Sequence, residues 1–128
     1  NTVAIDVSVT QIQSLATTPI TFIPAQGGGK IIVPVRWMFQ QRMGATTFSA
    51  ASTLSLEYQG DTTSLCGTMT ITNTANVYRV FIPDPTVANV TSNFEPANAA
   101  VNLVGNADRT LGSGTFRAIV QYYVANAI

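Results

Sequence analysis

Pro19-Ile-Thr-Phe-Ile-Pro-Ala-Gln-Gly-Gly-Gly-Lys-Ile-Ile-Val-Pro-Val-Arg-Trp-Met-Phe39 holds two apolar runs on either side of three glycines. In an extended chain successive side chains point to opposite faces. Ile20, Phe22 and Pro24 therefore share one face of the first run, and Thr21 and Ile23 the other. Glycine takes positive φ without a Cβ clash, so Gly27, Gly28 and Gly29 read as a tight turn. Lys30 restarts a β-branched run of Ile31, Ile32, Val33 and Val35. Two apolar runs joined by a short glycine loop predict a β-hairpin. The second run is apolar on both sides, so one face belongs in a core and the other also needs cover. Pro34 has no N–H to give to a ladder, which puts it at a sheet edge or at a bulge. This is the largest apolar concentration in the chain, and the core is expected to form on it.

The same alternation recurs on both sides of it. Val3, Ile5, Val7 and Val9 alternate with Ala4, Asp6 and Ser8, the mark of a half-buried strand. Thr10 can cap a helical turn over Gln11 to Ala16 with Ile12 and Leu15 on one side. Thr17-Thr18-Pro19 ends it, because a residue before proline avoids the helical region. Gln40 to Ala51 is polar and small, a loop with a short strand around Phe48. Strands are predicted over Thr53 to Gln59, Leu65 to Thr72, Val77 to Ile82, Asn98 to Val104 and Thr115 to Val124, separated by turns rich in Gly, Asn, Asp and Thr. Residues 84–97 read as loop with a turn of helix opened by Asp84-Pro85. Eight or nine strands with almost no helix predict an all-β fold. The expectation is an antiparallel β-sandwich, jelly-roll-like, forming a single domain over residues 1–128 with at most one or two short helical turns.

Composition narrows the function. The chain has 128 residues, enough for one sizeable core. Only 9% of them are charged, against about 25% in an average domain. Six Lys and Arg offset six Asp and Glu, there is no His, and 18 Thr and 9 Asn supply most of the polarity. Six dispersed cations in a neutral chain give no electrostatic footprint for nucleic acid. A surface without net charge also lacks the usual protection from self-association, so the chain is expected to be assembled. Cys66 is single, which excludes an internal disulfide and a cysteine-cluster metal site, and it reads as a small buried hydrophobe. No apolar run approaches the roughly 20 residues of a membrane span. Asn1-Thr2-Val3-Ala4 has neither the basic nor the apolar region of a signal peptide, and the missing methionine fits a processed chain or a part of a larger one.

Catalytic and binding motifs fail on their own chemistry. A phosphate loop needs Gly-Lys followed by Ser or Thr and a helix, whereas Lys30 leads into Ile31 and a strand. Asp84 and Glu95 bracket one loop and Asp61 and Asp108 sit in others, all in turn or capping contexts where Asp is common. Without His and with one unremarkable Cys, hydrolase triads are out of reach. Calcium-like binding by Asp6, Asp61, Asp84 or Asp108 lacks any Asp-x-Asp spacing. Asn89-Val90-Thr91 fits a glycosylation pattern that is common by chance. The expectation is no enzyme, no cofactor and no metal.

Two parts of the chain look familiar. Ile12 and Leu15 after an alternating strand, Thr18-Pro19-Ile20, and Pro24-Ala25-Gln26-Gly27-Gly28-Gly29-Lys30 leading into Ile31-Ile32-Val33 form one set. Asn98-Ala99-Ala100-Val101-Asn102-Leu103 and Gly114-Thr115-Phe116 through Tyr123 form the other. Together they resemble a family of small virion structural proteins encoded in tailed-bacteriophage genomes. The resemblance covers roughly the first third and the last quarter, and residues 40–97 depart from it freely. It implies a particle component, with capsid cement, head fibre and tail attachment all open, and no catalytic motif.

The expected function is therefore a capsid cement or decoration protein that stabilises the head by bridging major capsid subunits. Its partners would be copies of itself, a trimer foremost, and the major capsid protein or another virion protein, with no nucleic acid and no membrane. Its place would be the virion, assembled in the host cytoplasm. The alternative is a tail or fibre attachment domain that binds a host-surface glycan through loops 40–51, 60–64 and 105–114. The aromatics Trp37, Phe39, Tyr58, Tyr78, Phe81, Tyr122 and Tyr123 read as core and subunit interface. Candidate interface residues are Trp37, Phe39, Tyr78, Tyr123 and Pro34, with Tyr123 and Trp37 the ones that face outward into a neighbour.

Overall fold

The computed structural model describes residues 1–62, 64–65, 67–72, 75–82 and 97–127. Among the described residues eight strands are present: β1 (Thr2–Val7), β2 (Ile20–Ile23), β3 (Lys30–Met43), β4 (Ser52–Tyr58), β5 (Met69–Ile71), β6 (Val77–Phe81), β7 (Val101–Gly105) and β8 (Gly114–Asn126). One short helix, α1 (Val9–Gln13), follows β1. Strand β1 pairs β8, β2 pairs β7, β3 pairs β6 and β4 pairs β5, all antiparallel. That nesting is one long hairpin. Two further pairings, β8 with β3 and β7 with β4, roll it into sheets of order β1-β8-β3-β6 and β2-β7-β4-β5. Two four-stranded sheets wrapped in this way are a jelly-roll sandwich, as the alternation led us to expect.

The hairpin expected at the glycines is not formed. Strands β2 and β3 lie in different sheets, so residues 24–29 cross from one layer to the other. A two-residue loop forces its strands to pair; a six-residue connection is free to change layers. The glycines still set the turn: Gly27 and Gly29 have φ of 101° and 70°, and the Lys30 N–H donates to the Gly27 carbonyl. Asn98 braces it, accepting from the Gly27 N–H and donating its own N–H to the Lys30 carbonyl.

Pro34 marks a bulge within β3. Pro34 pairs Tyr122 and Arg36 pairs Gln121, which leaves Val35 unmatched. One extra residue reverses the side-chain phase of everything that follows. Before it Ile32 and Pro34 point inward; after it Trp37, Phe39 and Gln41 do. The absent proline N–H is tolerated here because β6 joins β3 only from Trp37 to Gln41.

The core lies between the layers. Trp37, Phe39, Phe116 and Val120 from one sheet meet Phe22, Leu54, Leu56, Ile71 and Leu103 from the other. Trp37 stacks on Phe81 with ring centroids 5.0 Å apart, and Phe116 lies 6.2 Å from Phe39 and 5.6 Å from Phe48. Phe48 is in the core without belonging to a strand. At one end α1 and the turn after it close the sandwich with Ile12 and Leu15, both fully buried as their spacing suggested. Its cap is Ser8 rather than Thr10. The Ser8 hydroxyl accepts from the Gln11 N–H while the Gln11 side chain accepts from the Ser8 N–H, a reciprocal capping box.

Two polar groups tie the layers together. Gln41, buried in β3, donates to the Thr72 carbonyl beyond β5. Tyr58 in β4 donates its hydroxyl to the Ile32 carbonyl in β3. Burial, and secondarily the neighbouring Tyr123, push the Tyr58 phenol up to about 12. The folded chain thus holds this proton more tightly than the unfolded one. The resulting stability is whole below pH about 10 and is lost as pH rises towards 12. Denaturation midpoints at pH 9 and 11.5 should fall further for the native chain than for Tyr58→Phe, which cannot titrate there. Parallel losses would show that Tyr58 is not the group responsible.

Candidate functional site

The register places the outward side chains of the β1-β8-β3-β6 sheet in rows. Ala4, Ile119, Met38 and Val80 form an apolar row across all four strands. Towards one end follow Asp6, Arg117, Gln40 and Tyr78; towards the other, Thr2, Gln121 and Arg36. Beyond those, Val33 lies beside Tyr123 and Ile31 beside Ala125. Val35, Tyr78, Val80, Ile82, Leu111 and Tyr123 are large hydrophobic side chains 40–76% exposed. Five of these six lie on strands of this sheet or, for Ile82, directly after β6; Leu111 is in the loop before β8.

The opposite sheet is different. Its outward positions are Thr21, Thr53, Ser55, Glu57, Thr70, Asn102 and Val104, almost all small and polar. Its one carboxylate, Glu57, accepts from the Ser55 hydroxyl at 2.6 Å. The outward side chains of this sheet are thus mainly small and polar, whereas the first sheet carries the large exposed hydrophobics.

Charge divides between the sheets, not between the faces: the register puts Arg36, Arg42 and Arg117 on the outer face, and Lys30 and Arg79 in phase with the core residues Ile32 and Phe39. Lys30, Arg36, Arg42, Arg79 and Arg117, five of the six cations, sit on β3, β6 and β8. Cations that look scattered in the sequence are gathered on one sheet by the pairing. Among the described residues that sheet has a single acid, Asp6, 3.3 Å from Arg117. Both partners are exposed, and such pairs contribute well under about 1 kcal/mol.

The predicted interface residues separate. Tyr78 and Tyr123 are exposed on the apolar face. Trp37 and Phe39 are fully buried in the core, and Pro34 is buried at the bulge. Trp37 does not face a neighbour, because the phase change at Val35 turns it inward. Met38, Ile119, Val80 and Ile82 are the surface residues that the sequence reading missed. Each alternates with a core residue, but which alternate face is solvated shows only once the partner strands are known.

Of the three loops considered for glycan binding, two are joined and the third is distant. Residues 40–43 belong to β3. The loop 44–51 is knitted to 106–113: Gly44 donates to the Ser113 carbonyl, Ser113 to the Thr46 carbonyl and Thr110 to the Ser49 hydroxyl. Arg109 locks the pair. Its guanidinium lies 5.3 Å above the Phe48 ring and donates to the Ala50 carbonyl and the Ser52 hydroxyl. It is 5% exposed, and burial lowers its pKa. Of the loop 60–64, the described residues 60–62 follow Tyr58, at the far end of β4.

The acids do not converge. Asp108 accepts from the Ala16 and Thr17 N–H groups, and the hydrogen bond to the Thr17 side chain together with these amides lowers its pKa. Asp6 pairs with Arg117, and Glu57 and Asp61 lie on and after β4. Asp84, Glu95, Cys66 and the Asn89 motif lie outside the described residues. Among the described residues no group of three or more His, Cys, Asp or Glu could hold a metal ion, and no helix is long and apolar enough to cross a membrane. Compared with protein-family models, curated proteins and solved structures, the chain matches none.

Proposed function

We propose that the chain is a bacteriophage virion structural protein of the capsid-cement type. It acts by burying the outer face of the β1-β8-β3-β6 sheet against copies of itself and against neighbouring shell subunits. One observation carries this reading: exposed large hydrophobics gather on that face while the opposite face is Thr, Ser and Asn. The resemblance to phage virion proteins agrees with it. No chemistry is required. A standard interface removes about 1,600 Å² from water in total, and arginine and aromatic side chains are enriched in such interfaces. Met38, Ile119, Val80, Tyr78 and the surrounding arginines supply that mixture. A trimer is the state we favour.

Light scattering after size-exclusion chromatography tests it. The native chain should run as an oligomer. Val80→Asp and Ile119→Asp should run as monomers with unchanged thermal midpoints, because each would place an unpaired carboxylate in the contact. Such a charge costs several kcal/mol, so association should weaken by at least about 100-fold. A native chain that stays monomeric at about 1 mM would end the proposal.

A further inference from the structure

The end of this sheet nearest Gly114 is hollowed. A depression of about 230 Å³ lies between Asp6, Gln40, Arg42, Thr115 and Arg117. It shares Gln40 and Arg42 with a second, of about 340 Å³, that reaches Asn76 and Tyr78. On its other side it shares Asp6 and Thr115 with a third beside Gly114. The three form one shallow groove that crosses β1, β8, β3 and the start of β6. Neighbouring strands lie about 4.8 Å apart, so the groove is roughly 14 Å long, far more than one inorganic anion needs.

Its lining is rich in donors and poor in charge of the opposite sign. Arg117 is already paired with Asp6, whereas Arg42 has no ion pair among the described residues. That leaves one guanidinium able to grip a carboxylate with two parallel N–H bonds. Around it stand the Gln40 amide, the Thr115 hydroxyl and the Asp6 carboxylate, which together donate to and accept from alcohol groups. Asn76 is held in place by accepting the Met43 N–H. Tyr78 is 65% exposed and offers a flat apolar ring at the groove's end.

We infer that this groove binds an acidic oligosaccharide, with a sugar carboxylate on Arg42 and a sugar ring against Tyr78. The groove lies at one end of the face assigned to assembly and shares Tyr78 with it, so the inference requires a contact that leaves this end of the sheet open. A single-stranded nucleic acid also carries anions, but it needs several exposed aromatic platforms in succession, and this groove has one, Tyr78, since Phe116 at its floor is buried.

The test is a nuclear-magnetic-resonance titration of labelled protein at low ionic strength with trigalacturonate, maltotriose, sodium sulfate and hexathymidylate. Trigalacturonate should shift the backbone amides of residues 40–42, 76–78 and 115–117, and bind at least about tenfold more tightly than maltotriose or sulfate. Arg42→Gln should weaken trigalacturonate about tenfold or more, with its thermal midpoint unchanged. Thr115→Ala, a second exposed change, should weaken it by a smaller factor. Sulfate binding as tightly as the trisaccharide, hexathymidylate binding more tightly, shifts elsewhere on the molecule, or no shifts at all would each overturn the inference.

Discussion

Trp37→Ala should destabilise the fold by about 3–5 kcal/mol, read as a lower urea midpoint. Trp37 is completely buried, stacks on Phe81 at 5.0 Å and meets Phe39 edge-on at 6.5 Å. Removing the indole takes away its own transfer free energy and leaves a void between the sheets that stiff β-strands close only in part. Trp37→Phe should cost much less, about 1–2 kcal/mol, for two reasons. A ring remains to stack on Phe81, and the indole N–H, which has no acceptor among the described residues, is gone. The pair of variants also separates core from interface. If Trp37→Ala left stability intact and abolished only association, the inward placement of this side chain would be wrong.

Gly112→Ala should be nearly as damaging, at about 2–5 kcal/mol. Gly112 has φ of +127°, a conformation that L-residues rarely adopt, and a Cβ there would lie 2.1 Å from Phe48 Cδ1. Phe48 cannot step aside, because Phe116 lies against it and the Arg109 guanidinium lies over it. One added methyl group would therefore disturb a core ring, a buried cation and the joined loops 44–51 and 106–113 together. Leu111→Ala, one residue away and exposed, should stay within about 0.5 kcal/mol of the native chain. Similar losses at both positions would point to general loop fragility instead of the Phe48 contact.

Much of this architecture was legible in the pattern of residues. Alternation found β1, β4, β6 and β8 to within a few positions, because each buries one face only. The Ile12–Leu15 spacing found the helical turn that seals one end. Partner choice was not legible. A glycine connection looks the same whether its strands pair or part, and what separates β2 from β3 is that β7 and β8, with partners 71 to 96 residues onward, claim them. The phase of Trp37 was hidden for a related reason. Pro34 announced either an edge or a bulge, and only the bulge reverses which side faces the core. The apolar outer face was hardest to see. Its apolar row takes one residue from each of four strands that are distant in sequence, so no local window contains it.

Strand β8 has a further consequence for how the chain comes into being. It occupies an interior position in its sheet, between β1 and β3, yet it follows every other strand in the sequence. On the ribosome β1 and β3 emerge first and wait without their shared neighbour until Gly114–Asn126 leaves the exit tunnel. At roughly 5–20 residues per second, that exposes two apolar strands for several seconds. The pairing of Thr2 with Gln121 then joins residues 119 positions apart, a slow, high-contact-order step. Nascent copies on one polysome would meet through those waiting strands, so translation speed up to and through Gly114–Asn126 would govern the yield of native protein.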